Sequence, residues 1–231
     1  MQPKDAPFSR KHIHDHTEDI EGHVNNISRE FREGFALLKK YPKSVSIFGS
    51  SMATPQSSHY HKAEELSKRI VQELKYAVIT GGGPGIMEAA NKGAYDAGGS
   101  SIGLNISLPH DHKVNKYETD SMRFDYFFSR KVMLAFAAEA YIFFPGGYGT
   151  FDELFSILTL IQTGKISRVP VFLFDSGFWK SMKVFMEHTL LKQYGTIDSR
   201  DFELFTITDS MDNVIDAIRN APVSDWWRKI N

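Results

Sequence analysis

From Ser44 onward the chain alternates short apolar runs with longer stretches of helical periodicity, and this alternation constrains its fold more than any other feature. Strands are predicted over 45–48, 77–80, 102–106, 141–144, 171–174 and 205–208, and helices over 60–73, 86–97, 131–138, 151–162, 178–191 and 211–219. Strands separated by helices of this length need right-handed crossovers, which give a mostly parallel sheet covered on both faces. The expected fold class is therefore α/β: a doubly wound, Rossmann-like sheet. A polar stretch over 109–120 and a short run over 122–128 interrupt the pattern. Ahead of it, residues up to about 26 are rich in His, Asp and Lys and read as a loose arm. Ile27, Phe31, Phe35 and Leu38 then recur at helical spacing, so 26–40 reads as an amphipathic helix closed by Pro42. The expected organisation is an arm and helical extension over 1–42, the α/β domain over 43–222 and a tail over 223–231.

Charge and cysteine usage narrow the function classes. The 27 basic and 28 acidic residues leave a net charge of -1, so no global field draws in nucleic acid or an anionic membrane. The chain has no cysteine, which excludes disulfides, thiolate metal sites and a cysteine nucleophile and fits a reducing compartment. No apolar run approaches the roughly 20 residues needed to span a bilayer. Residues 1–16 lack the apolar core of a signal peptide. A soluble, cytoplasmic protein with no membrane or nucleic-acid partner is expected.

Three turns leave the strands in the direction where ligands bind to open parallel sheets. They are Gly49-Ser50-Ser51, the run Gly81 to Gly85, and the run Gly146 to Thr150. Glycine there admits positive φ and removes the Cβ that would keep a ligand from backbone amides. A helix starting just beyond such a turn aims its unpaired N–H groups and positive dipole end at an anion. None of the three is a P-loop, since no Gly-Lys-Ser/Thr follows. Nor is Gly81-Gly82-Gly83-Pro84-Gly85-Ile86 a dinucleotide fingerprint, because Ile86 stands at the third glycine position and no acid ends the next strand. A nucleoside monophosphate is the ligand that fits.

Thr150 and Glu153 are three apart and share a helix face, which brings the Glu153 carboxyl close to the anion pocket. The same spacing fits a capping box, with Thr150 as N-cap and Glu153 at N3. Arg130, in Ser129-Arg130-Lys131 at a helix start, is either a solvated or paired arginine or a group that neutralises a phosphate at the cleft mouth.

Gly81 to Ala90, Ser129-Arg130-Lys131 and Pro145 to Glu153 together resemble the LOG family, the cytokinin riboside 5'-monophosphate phosphoribohydrolases long labelled lysine decarboxylases. The resemblance runs from about Val45 to Arg219. It implies hydrolysis of the N-glycosidic bond of a nucleoside 5'-monophosphate, AMP or a cytokinin riboside monophosphate, to free base and ribose 5-phosphate. It also implies Arg130 and Glu153 as the catalytic pair. Gly49, Ser50, Gly82, Gly83, Glu88, Arg130, Lys131, Gly146, Gly147, Gly149 and Thr150 would hold the nucleotide and its phosphate, with no metal and no cofactor, in a homo-oligomer. The alternative is a non-catalytic carrier or sensor that holds a phosphorylated ligand in the same cleft.

The long N-terminal extension and Phe127-Phe128 depart from the short plant members and suggest a bacterial type that accepts AMP. His12, His14 and His16 read as a solvated tail, and His110-Asp111-His112 as a polar loop. Asp125 fits a structural pairing and a site role equally. Trp226 and Trp227 are expected to pack on the body or on a partner subunit. Phe151, Phe155, Leu158 and Ile161 form an apolar stripe expected in the core.

Overall fold

The computed structural model describes residues 20–108, 115–136 and 138–223. Seven strands form one sheet: β1 (Ser44–Phe48), β2 (Ala77–Thr80), β3 (Ser101–Ile106), β4 (Asp120–Phe124), β5 (Ala140–Phe143), β6 (Val171–Phe174) and β7 (Thr206–Thr208). Their spatial order is β4-β3-β2-β1-β5-β6-β7, and every neighbouring pair is parallel. The sheet is thus wholly parallel. The chain moves outward from β1 to β4, returns across the sheet, and continues on the other side from β5 to β7. The order reverses between β1 and β5, so the crevice above their carboxyl ends is the expected ligand position.

The helices are α1 (Ile20–Leu38), α2 (Ser58–Arg69), α3 (Ile86–Asp96), α4 (Phe127–Phe136), α5 (Tyr148–Gln162), α6 (Ser176–Phe185) and α7 (Met211–Asn220). The central strands β1, β2, β5 and β6 are buried along their whole length because both faces are covered; β5 and β6 read as unbroken apolar runs, while β1 and β2 include the buried polar residues Ser44, Ser46 and Thr80. Alternate side chains of β5 feed two separate cores. Ala140 and Ile142 meet residues of α2, α3 and α7; Tyr141 and Phe143 meet residues of α4, α5 and α6. Capping is local and conventional: Ser57 accepts from the Tyr60 N–H at 3.3 Å to start α2, and Ser210 from Asn213 at 3.2 Å to start α7.

Two regions differ from the sequence reading. β4 was not expected as a strand. Its residues alternate between partly buried and exposed until Phe124, the pattern of an edge strand with a polar outer side. The N-terminal helix starts at Ile20, inside the segment read as a loose arm. It is held by a T-shaped Phe35–Phe136 contact at 5.7 Å and by a close approach at Gly34, where an added Cβ would lie 2.6 Å from the Met133 sulfur. At its far end, Lys40 Nζ and the Tyr41 hydroxyl both donate to Asp120 at the start of β4, at 3.1 and 3.0 Å. No described helix is long and apolar enough to cross a membrane.

Of the weaker sequence signals, Asp125 accepts from the Ser107 hydroxyl at 2.9 Å, the structural pairing. Leu158 and Ile161 are buried as expected, whereas Phe155 within the same stripe is 40% exposed. His12, His14, His16, the His110-Asp111-His112 cluster, Trp226 and Trp227 lie outside the described residues.

Candidate active site

Above the carboxyl ends of β1, β2 and β5 lie two adjoining cavities of about 340 and 350 Å³. Ser51, Gly81, Met87, Phe127, Arg130 and Gly149 wall both. The first cavity runs outward over β3 and β4 to Asn105, Leu108 and Arg123. The second runs toward α5 and ends on Gly147, Thr150 and Glu153.

The three glycine turns are joined by one residue. The Ser50 N–H donates to the Pro145 carbonyl at 3.0 Å, and the Ser50 carbonyl accepts the Ile86 N–H at 3.0 Å. The turn after β1 is thereby tied to both of the others. Gly85, with φ +73°, must be glycine, because an added Cβ would sit 2.3 Å from the Ser50 carbonyl oxygen.

Helix α5 begins at Tyr148 with Gly147 as its N-cap and no side-chain cap. This overturns the capping box: Thr150 is inside the first turn, its N–H donating to Gly147 at 3.0 Å, and Glu153 falls a turn too late to reach the cap. The first turn, Tyr148-Gly149-Thr150, forms the positive end of the helix dipole, where the Tyr148 and Gly149 N–H groups lie ahead of the first intrahelical bond, and it opens on the second cavity.

Glu153 projects from the second turn into that cavity. Its side chain is 14% exposed and its Oε2 is buried without a hydrogen-bond partner. Burial pushes its pKa up, against the opposing charges of Lys131 and Arg130. Lys131 Nζ lies 3.7 Å from Glu153 Oε1 and is tied more closely to Asp152 Oδ2 at 2.6 Å and to Ser156 Oγ at 3.0 Å.

The atoms that Arg130 contacts are now visible. Its Nε donates to the Leu104 carbonyl at 2.6 Å and its Nη2 to the Gly81 carbonyl at 3.0 Å, so the guanidinium bridges the carboxyl ends of β2 and β3. Burial lowers its pKa and the nearby Glu153 charge opposes this.

Gly49, Ser50, Gly82, Gly83, Arg130, Gly147, Gly149, Thr150 and Glu153 therefore all border the paired cavities. Three expected residues do not. Gly146 faces a separate hollow of about 400 Å³ that contains His59 and Phe178. Lys131 lies along α5. Glu88 turns to α2, where it accepts from the Tyr60 hydroxyl at 3.3 Å.

Sequence reasoning missed Asn105, Glu118 and Arg123. Asn105 was detectable in principle as a polar residue near the end of an apolar strand at the ligand edge. Its Nδ2 donates to Glu118 Oε2 at 3.0 Å, while Glu118 Oε1 is buried without a hydrogen-bond partner. Burial raises the Glu118 pKa. Nothing in the polar stretch around Glu118 marked it. Among the described residues, no group of three or more His, Cys, Asp or Glu is placed to hold a metal.

Comparisons with known proteins identify the family. The chain is 25% identical over 192 residues to a cytokinin riboside 5'-monophosphate phosphoribohydrolase of Rhodococcoides fascians, covering 80% of this chain and 93% of that protein. It is 27% identical over 147 residues to the phosphoribohydrolase LOG2 of Arabidopsis thaliana, covering 63% and 68%. The molybdenum cofactor binding protein of Rippkaea orientalis superposes with a TM-score of 0.54 at 24% identity, covering 76% of this chain and 93% of that one, a likeness of fold. The sequence model described as "Possible lysine decarboxylase" matches residues 87–218, more than half of the chain and the stretch that holds Arg130 and Glu153. On that match the chain belongs to the LOG family.

Proposed function

We propose that the protein hydrolyses the N-glycosidic bond of a nucleoside 5'-monophosphate, AMP or an N6-substituted relative, releasing the base and ribose 5-phosphate. The observation that carries this reading is Glu153: a carboxyl with a buried, unpartnered oxygen, in the cavity that also receives the start of α5. The 5'-phosphate binds at Gly147, Gly149 and Thr150, where amides and the helix dipole favour an anion. That anchors the sugar with C1' near Glu153.

Breaking the C1'–N bond builds positive charge on the ribose ring, as in glycoside hydrolysis. The Glu153 carboxylate stabilises that charge and takes a proton from the attacking water. The water oxygen bonds to C1', the bonding pair leaves with the base nitrogen, and the base takes up a proton. A carboxyl whose pKa is raised by burial is a stronger base for this step than a solvated one. Arg130 and Lys131 keep it anionic; on this reading Lys131 serves Glu153 and not the phosphate. The first cavity, with Asn105 and Arg123 on its wall, is left for the base.

Lysine decarboxylation fits poorly. It needs an electron sink, normally a pyridoxal phosphate on a lysine, and no described lysine borders either cavity. Incubation with AMP and with N6-isopentenyladenosine monophosphate, following free base by chromatography, tests the proposal. Release of adenine or the substituted base is expected. Tight binding without release at high protein concentration overturns it in favour of a carrier of phosphorylated ligands.

A further inference from the structure

We propose that helix α1 is a working part of the active site, and that Glu30 is the positioning residue through which it sets Arg130. This rests on the hydrolase reading for Arg130 and Glu153. Glu30 lies outside the stretch matched by the family model. It sits in the middle of an otherwise amphipathic helix, yet it is only 2% exposed. A carboxyl survives such burial only if its oxygens are well partnered. Both are. Oε1 accepts the Asp125 N–H at 2.5 Å, and Oε2 accepts the hydroxyl of Ser129, which is wholly buried.

Both donors belong to the turn from β4 into α4 and to the first turn of α4. A carboxyl there also complements the positive end of the helix. Ser129 is the residue immediately before Arg130. The same turn is gripped a second time by α1, where His23 Nδ1 lies 2.6 Å from the Tyr126 hydroxyl. The segment so fastened supplies Phe127 and Arg130, which both cavities share. β4 is an edge strand, so nothing in the sheet beyond it fixes this corner. Glu30 therefore sets where α4 starts, and so where the guanidinium meets Gly81, Leu104 and the field of Glu153.

The charged groups that act on Glu153 are Arg130 and Lys131 from α4 and Asp152 from its own helix. If Arg130 withdraws, an attraction that holds down the Glu153 pKa is lost while the burial that raises it stays. The Glu153 pKa must then rise.

The decisive measurement is a carbon-13 NMR titration of the Glu153 carboxyl in the full-length protein, assigned by its disappearance in Glu153→Gln. It is compared between wild type, Glu30→Ala, Glu30→Gln and Ser129→Ala. An upward move is expected in Glu30→Ala, a smaller one in Ser129→Ala, and near-recovery in Glu30→Gln, whose amide oxygen still accepts a hydrogen bond. In the nucleotide assay the same order should appear as a fall in kcat of about ten- to hundredfold in Glu30→Ala with KM little changed. The acid limb of its pH profile should move upward with the Glu153 pKa.

An unmoved Glu153 titration in folded Glu30→Ala and Ser129→Ala overturns the proposal. So does a kcat that falls only with the folded fraction. If Glu30→Ala does not fold, Ser129→Ala, which removes one hydroxyl, decides alone. A wild type that cleaves no nucleotide defeats the hydrolase reading, while the titration still judges the link from Glu30 to Arg130.

Discussion

The glycines of Gly81–Gly85 and those of Gly146–Gly149 look alike in the sequence but are there for different reasons. In the turn after β2, Gly82 and Gly85 have φ of +69° and +73°, and an added Cβ would strike Asn105 at the first and the Ser50–Ser51 main chain at the second. Backbone conformation and packing together require them. In the turn after β5, Gly147 has an ordinary extended backbone with φ -96°, and an added Cβ at Gly147 or Gly149 would meet nothing within 4 Å. No neighbour explains these two. Glycine inside a helix costs roughly 1 kcal/mol against alanine, so Gly149, the second residue of α5, makes the fold weaker. A residue that harms the fold and fits no packing need is best explained by a ligand that comes close to its backbone.

Three substitutions, read in four measurements, test this division. The largest effect is expected beside the second turn: Glu153→Gln should lower kcat by about 10²- to 10⁴-fold with AMP affinity kept, read by steady-state kinetics and calorimetry. Activity near wild type would remove Glu153 from the chemistry. Next, Gly85→Ala should destabilise the fold by about 3 kcal/mol, from a left-handed backbone plus a clash with main-chain atoms that cannot rotate away. Urea unfolding measures it, and a loss under 1 kcal/mol would mean that the first turn is not held by packing.

Gly149→Ala should do the reverse, raising stability by about 0.5–1 kcal/mol while weakening AMP binding about tenfold. If affinity is unchanged, the phosphate lies elsewhere. The smallest effect is thermal. A carboxyl whose folded pKa is raised above its unfolded value costs stability above the folded pKa, and that cost disappears as pH falls below the unfolded value. Glu153→Gln should therefore raise Tm by about 2–4 °C at pH 7, with the gain vanishing toward pH 4 in differential scanning calorimetry.

The elements that positioned the site were legible because their signals are local. The buried strands read as apolar runs, and the glycines marked where the turns leave them. The errors came from partners distant in sequence. β4 shows an apolar residue fully buried only at Phe124, and its strand character comes from pairing with β3 across a polar loop. The Thr150–Glu153 pair matched a capping box by spacing alone, but the helix begins two residues before Thr150, a shift set by the Gly147 turn. Glu30 is one of several charges on an amphipathic helix and nothing near it in sequence singles it out; only α4, some hundred positions away, makes it a buried acceptor. Lys131 sits next to Arg130 in the motif, yet the helix turns it toward Asp152 and away from the cavity.

Ser50 spends its amide on one turn and its carbonyl on the other, so a single peptide segment acts as the spacer between the two sides of the cleft. The opening cannot widen at one side without dragging the opposite side along. The distance between the turn after β2 and the turn after β5 is thereby held at a fixed length, like the gap of a caliper. On the proposed function, a ligand with an additional phosphate, or with none, would find either its head or its base out of register.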